Sequence, residues 1–490
     1  MIGNVAAIAQ WVKWAGLPVG IALLMLVMST ARAVAALCPA QLADQLDAAL
    51  DQPPLGTAYT GMVLQTQGLD PRTLYDRSGD RLFTPASNIK LLTTAAAAHR
   101  LGGDYRLRTS VYGAPNNEGS TALRVIGRGD PSFTTTQIED LVQQLVQAGV
   151  RQVPQLVIDD SYFPGFATNP TWEWEDAQWA YATPVNSLIL NRNAVVVQIA
   201  PTEVGNPLLV QPQPQPAGLL PVINATTTAE AGASNSLSLW RTGDSPTVQV
   251  AGQLAVSSDS QTFNLAVLNP AQQFAAAVEQ ALRRQRVTVG QTVITQTSTS
   301  TTDLELAAVE SPPVRELMLQ ANRDSDNLYA EALFKTQGVT AGGAVTEASR
   351  AGGEAVKAAL AELGVETEAL RLADGSGLSR HNLVSPIALV DTLQAMTVHP
   401  QGSFFRDSLA TAGQSGTLNN RLRDTVLEGR VQGKSGALTG NVSLSGYVQP
   451  PSYEPLVFSI MINHSNQHAS VLRGKIDELL LLVAELREGC

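Results

Sequence analysis

Hydrophobic positions along the chain follow two spacings, one typical of helices and one typical of strands. Apolar residues recur three or four positions apart in stretches that predict helices at 40–52, 138–148, 270–285, 345–363, 386–396 and 469–486. Apolar and polar residues alternate in stretches that predict strands at 58–65, 73–76, 108–113, 122–127, 155–160, 193–199, 261–268, 442–448 and 456–462. Since both kinds of element occur along the whole length, the sequence predicts an α/β (α+β) fold.

The chain is too long for one compact core, and changes in its pattern indicate where it divides. Its 490 residues predict two or three domains. The character of the sequence changes near Arg106, and a run of Thr, Ser and Gln precedes the return to helical patterns. We therefore expect one domain made of 38–106 and 300–490, with an inserted α+β region at 107–299. Inside the insert, a nearly uncharged tract rich in Thr, Ser, Gln and Pro predicts a small nested β subdomain near 200–256.

The N-terminal residues have the composition of an export signal. Lys13 precedes an apolar run at 15–28, and small residues follow at 31–36 with more than one Ala-x-Ala-like cleavage point. The run is short for a membrane span and contains a proline and a glycine. We expect a cleaved signal peptide at 1–37, which puts the mature protein in the periplasm or elsewhere outside the cytoplasm. An uncleaved anchor is the alternative, and peripheral contact with the membrane stays open.

Charge, histidines and cysteines argue against several classes of protein. The net charge is −11 with a pI near 5.0 and no cluster of Lys and Arg, so nucleic acid is not expected as a partner. The histidines show no His-Glu-x-x-His spacing and the cysteines no Cys-x-x-Cys spacing, so the sequence predicts neither a metal site nor another cofactor. Cys38 and Cys490 lie at the two ends of the mature chain, where they can pair or stay free.

The chemistry of the chain centres on Ser87 and Lys90. Pro85 suits a first helical position, and the alanine-rich run after it lacks glycine and proline, so a helix is predicted to begin near Ser87. Residues three apart share one face of a helix, which brings the Ser87 hydroxyl within reach of the Lys90 amine. The apolar neighbours of Lys90 should desolvate it and lower its pKa towards that of a usable base. The hypothesis is a serine nucleophile with a lysine base; the alternative is a surface serine that happens to precede a lysine.

Two further motifs supply groups that the first pair lacks. Ser-Asp-Asn at 325–327 and Lys-Ser-Gly at 434–436 follow in this order, and the lysines of the motifs are two of only six in the chain. Ser-x-x-Lys, Ser-Asp-Asn and Lys-Thr/Ser-Gly together form the set found in penicillin-binding proteins and class A β-lactamases. Three motifs in the family order make chance a poor explanation.

Each of these residue types suits a step of acyl transfer. Ser87 attacks an acyl carbon, and Lys90, neutral in a dry pocket, takes its proton. Ser325 bridges Lys90 to the departing amine and can carry a proton to it. The remaining groups are expected to bind substrate. Asn327 should hold the substrate backbone, and Lys434 and Ser435 should bind a substrate carboxylate. Gly436 should let the substrate lie flat against the strand, and the N–H groups of Ser87 and Ala437 should bind the oxyanion.

Nearly the whole exported chain resembles the low-molecular-weight class C penicillin-binding proteins, which are D-alanyl-D-alanine carboxypeptidases and endopeptidases. The most specific stretch is Asp-Gly-Ser-Gly-Leu-Ser at 374–379; others lie at 127–131, 324–327 with Glu331, 415–418 and 444–447. The resemblance implies a β-lactamase/transpeptidase-like domain interrupted after the nucleophile helix by one or two inserted β-rich domains. It also implies an exported serine-type enzyme that cuts peptidoglycan peptides through an acyl-enzyme and binds β-lactam antibiotics. One departure is Ser435, where threonine is common, but the hydroxyl is kept.

Two other functions fit part of the pattern. A serine β-lactamase shares the chemistry, but it would need an activated water, and no extra carboxylate in the sequence can be assigned to that task. The long insert also fits a peptidoglycan enzyme better. A non-catalytic envelope-binding paralogue would keep the fold, although here the motif residues are intact. The sequence does not decide between carboxypeptidase and endopeptidase action.

Overall fold

The computed structural model describes residues 37–213, 220–243, 245–297 and 303–489, which contain ten α-helices and seventeen strands in four sheets. The helices are α1 (Pro39–Leu50), α2 (Ile89–Arg100), α3 (Thr135–Gln147), α4 (Pro270–Arg284), α5 (Val314–Asn322), α6 (Asn327–Thr340), α7 (Ala348–Glu362), α8 (Pro386–Val398), α9 (Gly402–Asp407) and α10 (Ala469–Ala484). The strands are β1 (Tyr59–Thr66), β2 (Thr73–Arg77), β3 (Arg108–Gly113), β4 (Leu123–Ile126), β5 (Gln152–Asp159), β6 (Ala194–Ala200), β7 (Leu209–Gln213), β8 (Val222–Ala229), β9 (Ser236–Arg241), β10 (Val248–Ala255), β11 (Gln261–Ala266), β12 (Thr288–Thr295), β13 (Leu304–Glu310), β14 (Ala410–Thr411), β15 (Val431–Leu438), β16 (Asn441–Val448) and β17 (Leu456–Asn463). The predicted mixed α/β class is confirmed. The predicted signal peptide lies outside the described residues except for Leu37.

A six-stranded antiparallel sheet, in the order β14-β15-β16-β17-β1-β2, joins the first described strands to the last ones. Met62 of β1 pairs with Ile460 of β17, and Lys434 of β15 pairs with Ser445 of β16. Every residue of β16 and β17 is buried, because helices cover both faces of the sheet. The core on one face contains α2 and α8, and the core on the other contains α1 and α10.

The helix predicted to begin near Ser87 is present, although its first turn is tighter than an α-helix. A 3₁₀ turn at Ala86–Asn88 leads into α2, and Ala86 has a left-handed φ of +49°. The ten residues at 89–98 are all buried, since their many small side chains let α5, α6, α7 and α8 pack around the helix. α2 is therefore the central helix of its layer, and its first turn lies beside β15.

Three further sheets lie between residues 108 and 310. The five-stranded sheet, in the order β12-β5-β4-β3-β13, packs against α3 and α4. Two three-stranded sheets, β8-β10-β9 and β11-β6-β7, share a separate core. The boundaries of the expected insert at 107–299 and of its nested subdomain near 200–256 stay predictions, and 214–219, 244 and 298–302 lie outside the described residues.

The first and last parts of the described chain lie side by side. The Leu37 N–H donates to the Glu485 carbonyl at 3.0 Å, and Leu37 forms a β-bridge with Leu486. Cys38 is disulfide-bonded, while Cys490 lies outside the described residues. None of the helices in the described ranges has the length and apolar character needed to span a bilayer.

Candidate active site

Ser87 and Lys90 form the contact that their spacing predicts. Lys90 Nζ lies 3.0 Å from Ser87 Oγ. Ser87 is partly exposed on the tight turn, whereas Lys90 is fully buried at the start of α2. Removing an ammonium group from water favours the neutral amine, so burial lowers the pKa of Lys90 to about 7. A lysine of this kind can accept the proton of the adjacent hydroxyl near neutral pH.

Two carbonyl oxygens bind the Lys90 amine from other directions. Lys90 Nζ donates to Asn327 Oδ1 at 2.7 Å and to the Ser376 carbonyl at 2.5 Å. The Asn327 amide nitrogen donates to the Tyr181 carbonyl at 2.8 Å, which fixes the orientation of the side chain. The structure therefore brings Asn327 to Lys90, a contact that the sequence did not predict, and its expected contact with substrate stays a prediction.

The hydrogen bond of Ser325 is with Lys434. Lys434 Nζ donates to Ser325 Oγ at 2.8 Å and to the Ser435 carbonyl at 2.6 Å. Ser325 has a left-handed φ of +61° just before Asp326, the N-cap of α6, and this turn presents its hydroxyl to Lys434. In the described ranges no hydrogen bond joins Ser325 to Lys90, so the expected proton path from Lys90 through Ser325 stays a prediction.

Lys434 is as fully buried as Lys90. Burial lowers the pKa of Lys434 well below its usual value, and the nearby Lys90 amine lowers it further. Two neighbouring buried amines cannot both carry a charge without a large cost in free energy. An anion bound next to Lys434 would offset that cost, which suits the carboxylate site expected at this position.

The strand β15 passes unusually close to the turn that carries Ser87. A side chain at Gly436 would lie within 2.8 Å of the Pro85 carbonyl oxygen and 2.9 Å of the Ser87 nitrogen, so only glycine allows this approach. Next to it, Ser435 Oγ donates to Thr417 Oγ1 at 2.8 Å. The structure thus requires Gly436 for packing within the protein, while its expected contact with substrate stays a prediction.

An open cleft of about 370 Å³ lies over the nucleophile. Its lining consists of Ser87, Glu173, Asp176, Tyr181, Ser325, Asn327, Gly377, Leu378, Arg380, Ala437, Leu438 and Thr439. Arg380 links two of its walls, because its Nε contacts Glu173 at 2.6 Å and its NH1 donates to the Thr439 carbonyl at 3.1 Å. Motif analysis missed these charged residues. Two signals were present in the sequence: the acidic residues of the tryptophan-rich segment 172–181, and the position of Arg380 directly after the Asp-Gly-Ser-Gly-Leu-Ser stretch. Nothing in the sequence ties the acidic segment to Ser87.

The Asp-Gly-Ser-Gly segment at 374–377 forms a buried loop behind the nucleophile. The Asp374 carboxylate accepts hydrogen bonds from the Gly377 and Ser379 N–H groups at 2.8 and 2.7 Å, and from Asn382 Nδ2 at 2.7 Å. Gly377 has a left-handed φ of +84° and touches the backbone of the turn before Ser87. The loop therefore forms a fixed floor behind Ser87, and the Asp374 carboxylate accepts most of the hydrogen bonds that hold it.

The assembled groups can carry out acyl transfer. Ser87 could serve as a nucleophile and Lys90 as a base, and the first turn of α2 has backbone N–H groups and the positive end of the helix dipole. Over the part of the chain that the structure describes, no three His, Cys, Asp or Glu side chains are placed to hold a metal ion.

Comparison with known proteins matches most of the chain to one family. The family model for D-Ala-D-Ala carboxypeptidase 3 (S13) matches residues 42–483. A D-alanyl-D-alanine carboxypeptidase of Actinomadura sp. (strain R39) is 34% identical over 441 residues, which cover 86% of this chain and 81% of that protein. Penicillin-sensitive carboxypeptidase A of Dictyostelium discoideum is 28% identical, with 82% of each protein covered. The crystal structure of penicillin binding protein 4 from Haemophilus influenzae has the same fold, with a TM-score of 0.79, 23% identity and coverage of 90% of this chain and 99% of that one.

Proposed function

Because the chain belongs to the D-Ala-D-Ala carboxypeptidase 3 (S13) family, we propose that it is a serine-type D-Ala-D-Ala carboxypeptidase with Ser87 as its nucleophile. Its substrate is the D-Ala-D-Ala end of a peptidoglycan stem peptide, and a β-lactam antibiotic acylates the same serine. One observation carries the assignment of the nucleophile: a fully buried lysine amine lies 3.0 Å from the Ser87 hydroxyl.

The proposed reaction passes through an ester on Ser87. The Ser87 oxygen attacks the carbonyl carbon between the two D-alanines while Lys90 takes the hydroxyl proton. The N–H groups of Ser87 and Ala437 stabilise the oxyanion. Its collapse breaks the C–N bond, and the amine of the terminal D-alanine leaves with the proton that Lys90 took from Ser87, which the Ser325 hydroxyl relays to it. Water then hydrolyses the ester, releases the shortened peptide and restores the serine hydroxyl.

The terminal carboxylate of the substrate is proposed to bind next to Lys434. The amine of Lys434 is buried, with a strongly lowered pKa and no carboxylate among its hydrogen-bond partners in the described ranges. Binding of an anion raises the pKa of such a group and makes its charge favourable. The Ser435 and Thr417 hydroxyls, 2.8 Å apart on the rim, complete the site. A free carboxylate at the end of the peptide is the group that a carboxypeptidase must recognise.

Release of D-alanine from a D-Ala-D-Ala pentapeptide tests the proposal. The wild type should release one equivalent of D-alanine per peptide, and Ser87→Ala should lower kcat by at least ~10³-fold, because the nucleophile is gone. The control is Ser120→Ala, a partly exposed serine of the expected insert, which should leave kcat unchanged after matched circular dichroism spectra. Undiminished release by Ser87→Ala would refute the assignment.

The same acyl-enzyme allows a second cleavage, in which the leaving amine belongs to a cross-linked peptide instead of free D-alanine. We propose that this endopeptidase action accompanies the carboxypeptidase action, because the cleft over Ser87 is open and has a volume of about 370 Å³. Digestion of purified cross-linked muropeptides, followed by mass spectrometry, measures both products. Release of D-alanine with no loss of cross-linked dimer would restrict the enzyme to carboxypeptidase action.

The proposed site of action is outside the cytoplasm, where peptidoglycan is found. The composition of residues 1–37 supports export with cleavage of a signal peptide, and periplasmic location after cleavage is part of the proposal. N-terminal sequencing of the protein secreted by its host should give a start between Ala33 and Cys38. A start at Met1 in a membrane fraction would favour the uncleaved anchor instead.

A further inference from the structure

We propose that Glu331 is a positioning residue: it holds the Ser376 carbonyl in place, and this carbonyl turns the lone pair of Lys90 towards Ser87. The inference rests on the proposed function, since it concerns Lys90 as the base of that reaction. It adds a residue outside the three motifs and gives the buried Asp-Gly-Ser-Gly loop a task in catalysis.

The partners of Lys90 determine where its lone pair points. A neutral amine has two N–H bonds and one lone pair. Asn327 Oδ1 and the Ser376 carbonyl, at 2.7 and 2.5 Å, are oxygen atoms that can only accept hydrogen bonds, so each takes one N–H. The third neighbour is Ser87 Oγ at 3.0 Å, and it is the only one of the three that can donate. The lone pair is therefore left facing the Ser87 hydroxyl, as a general base requires.

Glu331 holds the loop that presents the Ser376 carbonyl. Its Oε1 accepts hydrogen bonds from the Gly375 N–H at 2.9 Å and the Ser376 N–H at 2.8 Å. Glu331 is buried in α6, one helical turn after Asn327. Helix α6 therefore positions both oxygen atoms that accept from Lys90. It carries Asn327 itself, and it holds the Ser376 carbonyl through Glu331.

Two more hydrogen bonds fix the same loop. Thr93 Oγ1, on α2, donates to the Gly375 carbonyl at 2.8 Å. The Gly377 N–H, which shares a peptide group with the Ser376 carbonyl, donates to Asp374 at 2.8 Å. Donation to a carboxylate polarises that peptide group, which strengthens its carbonyl as an acceptor for Lys90. Together with the two hydrogen bonds to Glu331, these two hydrogen bonds keep the Ser376 carbonyl from rotating away from Lys90.

The alternative task for Glu331 is to neutralise Lys335, one turn further along α6. Among the ion pairs of the described residues none joins these two side chains. The Lys335 amine instead donates to the Phe166 and Val185 carbonyls at 3.0 and 2.7 Å. Burial raises the pKa of Glu331 and lowers that of Lys335, and the charge of each group partly offsets the effect of burial on the other. The direct contacts of Glu331 are with the loop.

Three variants test the inference through the rate constant of acylation by penicillin and the dissociation constant of the preceding non-covalent complex. Glu331→Leu removes both hydrogen bonds and should slow acylation about a hundredfold, with the non-covalent dissociation constant changed less than threefold. Glu331→Gln keeps Oε1 as an acceptor and should restore the rate to within about fivefold of wild type. Thr93→Val removes only the Thr93 hydrogen bond and should slow acylation about tenfold. The matched control is Thr336→Val, an equally buried isosteric change on α6. The Thr336 hydroxyl has no hydrogen-bond partner among the residues that the structure describes, so this variant should acylate at the wild-type rate.

The outcomes separate this inference from the proposed function. An inactive wild type, or acylation at a residue other than Ser87, would refute the proposed function itself. With an active wild type, acylation by Glu331→Leu within threefold of wild type would overturn the positioning role, and so would equal losses in Glu331→Gln and Glu331→Leu. If Glu331→Leu does not fold, Thr93→Val decides: a wild-type rate in that variant would overturn the role of the loop.

Discussion

At the scale of single residues, the proposed catalysis depends on an amine that stays uncharged near neutral pH. Burial lowers the pKa of Lys90 to about 7, while the charges of Asp374 and Glu331 act in the opposite direction and keep it from falling further. A base with a pKa near the working pH can accept the serine proton and later give it back. For Lys434, the other buried amine of the site, burial and the nearby Lys90 amine both lower the pKa.

The acylation rate should depend on pH through Lys90. The neutral amine is the active form, so the second-order rate constant for penicillin should rise about tenfold per pH unit below pH 7 and level off above it. Stopped-flow measurement of acylation between pH 5 and 9 checks this, with circular dichroism at each pH to confirm that the protein stays folded. A profile without this rise, or one with its midpoint above pH 9, would contradict a desolvated Lys90.

The hydroxyl of Ser435 should contribute to recognition of the substrate carboxylate. Ser435→Ala removes one hydrogen bond to a charged group and should lower kcat/KM for the pentapeptide about tenfold, mostly through KM. Ser435→Thr keeps the hydroxyl and should stay within about threefold of wild type. An equal effect of the two substitutions would mean that the hydroxyl does not bind the carboxylate.

The sequence identifies side chains with distinctive chemistry better than it identifies backbone groups. Ser87 and Lys90 follow from their spacing, and the structure places them 3.0 Å apart. The Ser376 carbonyl could not be predicted, because every residue has a carbonyl and only the folded loop aims this one at Lys90. The contact between Ser325 and Lys434 was missed for a related reason: it depends on the left-handed backbone of Ser325, which no residue type signals there.

At the scale of elements, the active site is the gap between the first turn of α2 and the strand β15. The gap exists because both sides use small residues: the Ala-Ser turn before α2 and the glycine of β15. Side chains of Lys90 and Lys434 project from the two elements into the same dry region. The spacing of α2 and β15 therefore controls the distance between nucleophile, base and carboxylate site.

Widening this gap should slow acylation strongly without unfolding the protein. A β-carbon at position 436 would collide with the Pro85 carbonyl and the Ser87 nitrogen, so Gly436→Ala should lower the acylation rate by about a hundredfold or more. Gly474→Ala is the control: it lies inside α10 with open space around it, and it should leave acylation unchanged and raise the free energy of unfolding by about 0.5–1 kcal/mol. Normal acylation by Gly436→Ala would mean that the close approach is not needed.

The start of α2 and the extent of the central strands were largely predictable, since burial imposes a clear pattern. The predicted strands at 442–448 and 456–462 match β16 and β17 within one residue at each end. The helix predicted to start near Ser87 begins as a 3₁₀ turn, because contact with β15 holds Ala86 in a left-handed conformation. Such tertiary contacts leave no periodic trace in the sequence.

At the scale of the whole molecule, the segment 166–193 contacts the catalytic machinery at several points. Trp172 Nε1 donates to the Asp374 carboxylate at 2.9 Å, and Asn169 Nδ2 donates to the Ala373 carbonyl at 2.8 Å. The Tyr181 carbonyl accepts from Asn327. This segment falls in the region that the sequence assigned to an insert, yet it supports the loop behind the nucleophile. The sequence indicated the insert by its change of pattern but gave no sign of these contacts, which join residues about 200 positions apart.

Loss of one of these contacts should weaken the catalytic loop. Trp172→Phe keeps an aromatic ring but removes a hydrogen bond to the buried Asp374 carboxylate, and should lower the free energy of unfolding by about 1–2 kcal/mol. Urea unfolding followed by circular dichroism measures the change. Trp174→Phe is the matched control, because Trp174 is 70% exposed and should tolerate the change. Equal stability of the two variants would show that the Trp172 hydrogen bond does not support the loop.

The most direct test of the account is the mass of the intact protein after incubation with penicillin G, followed by peptide mapping. The wild type should gain the mass of one antibiotic molecule, attached at Ser87, and Ser87→Ala should gain none. An adduct on another residue, or an equal gain of mass by Ser87→Ala, would contradict a serine nucleophile activated by Lys90.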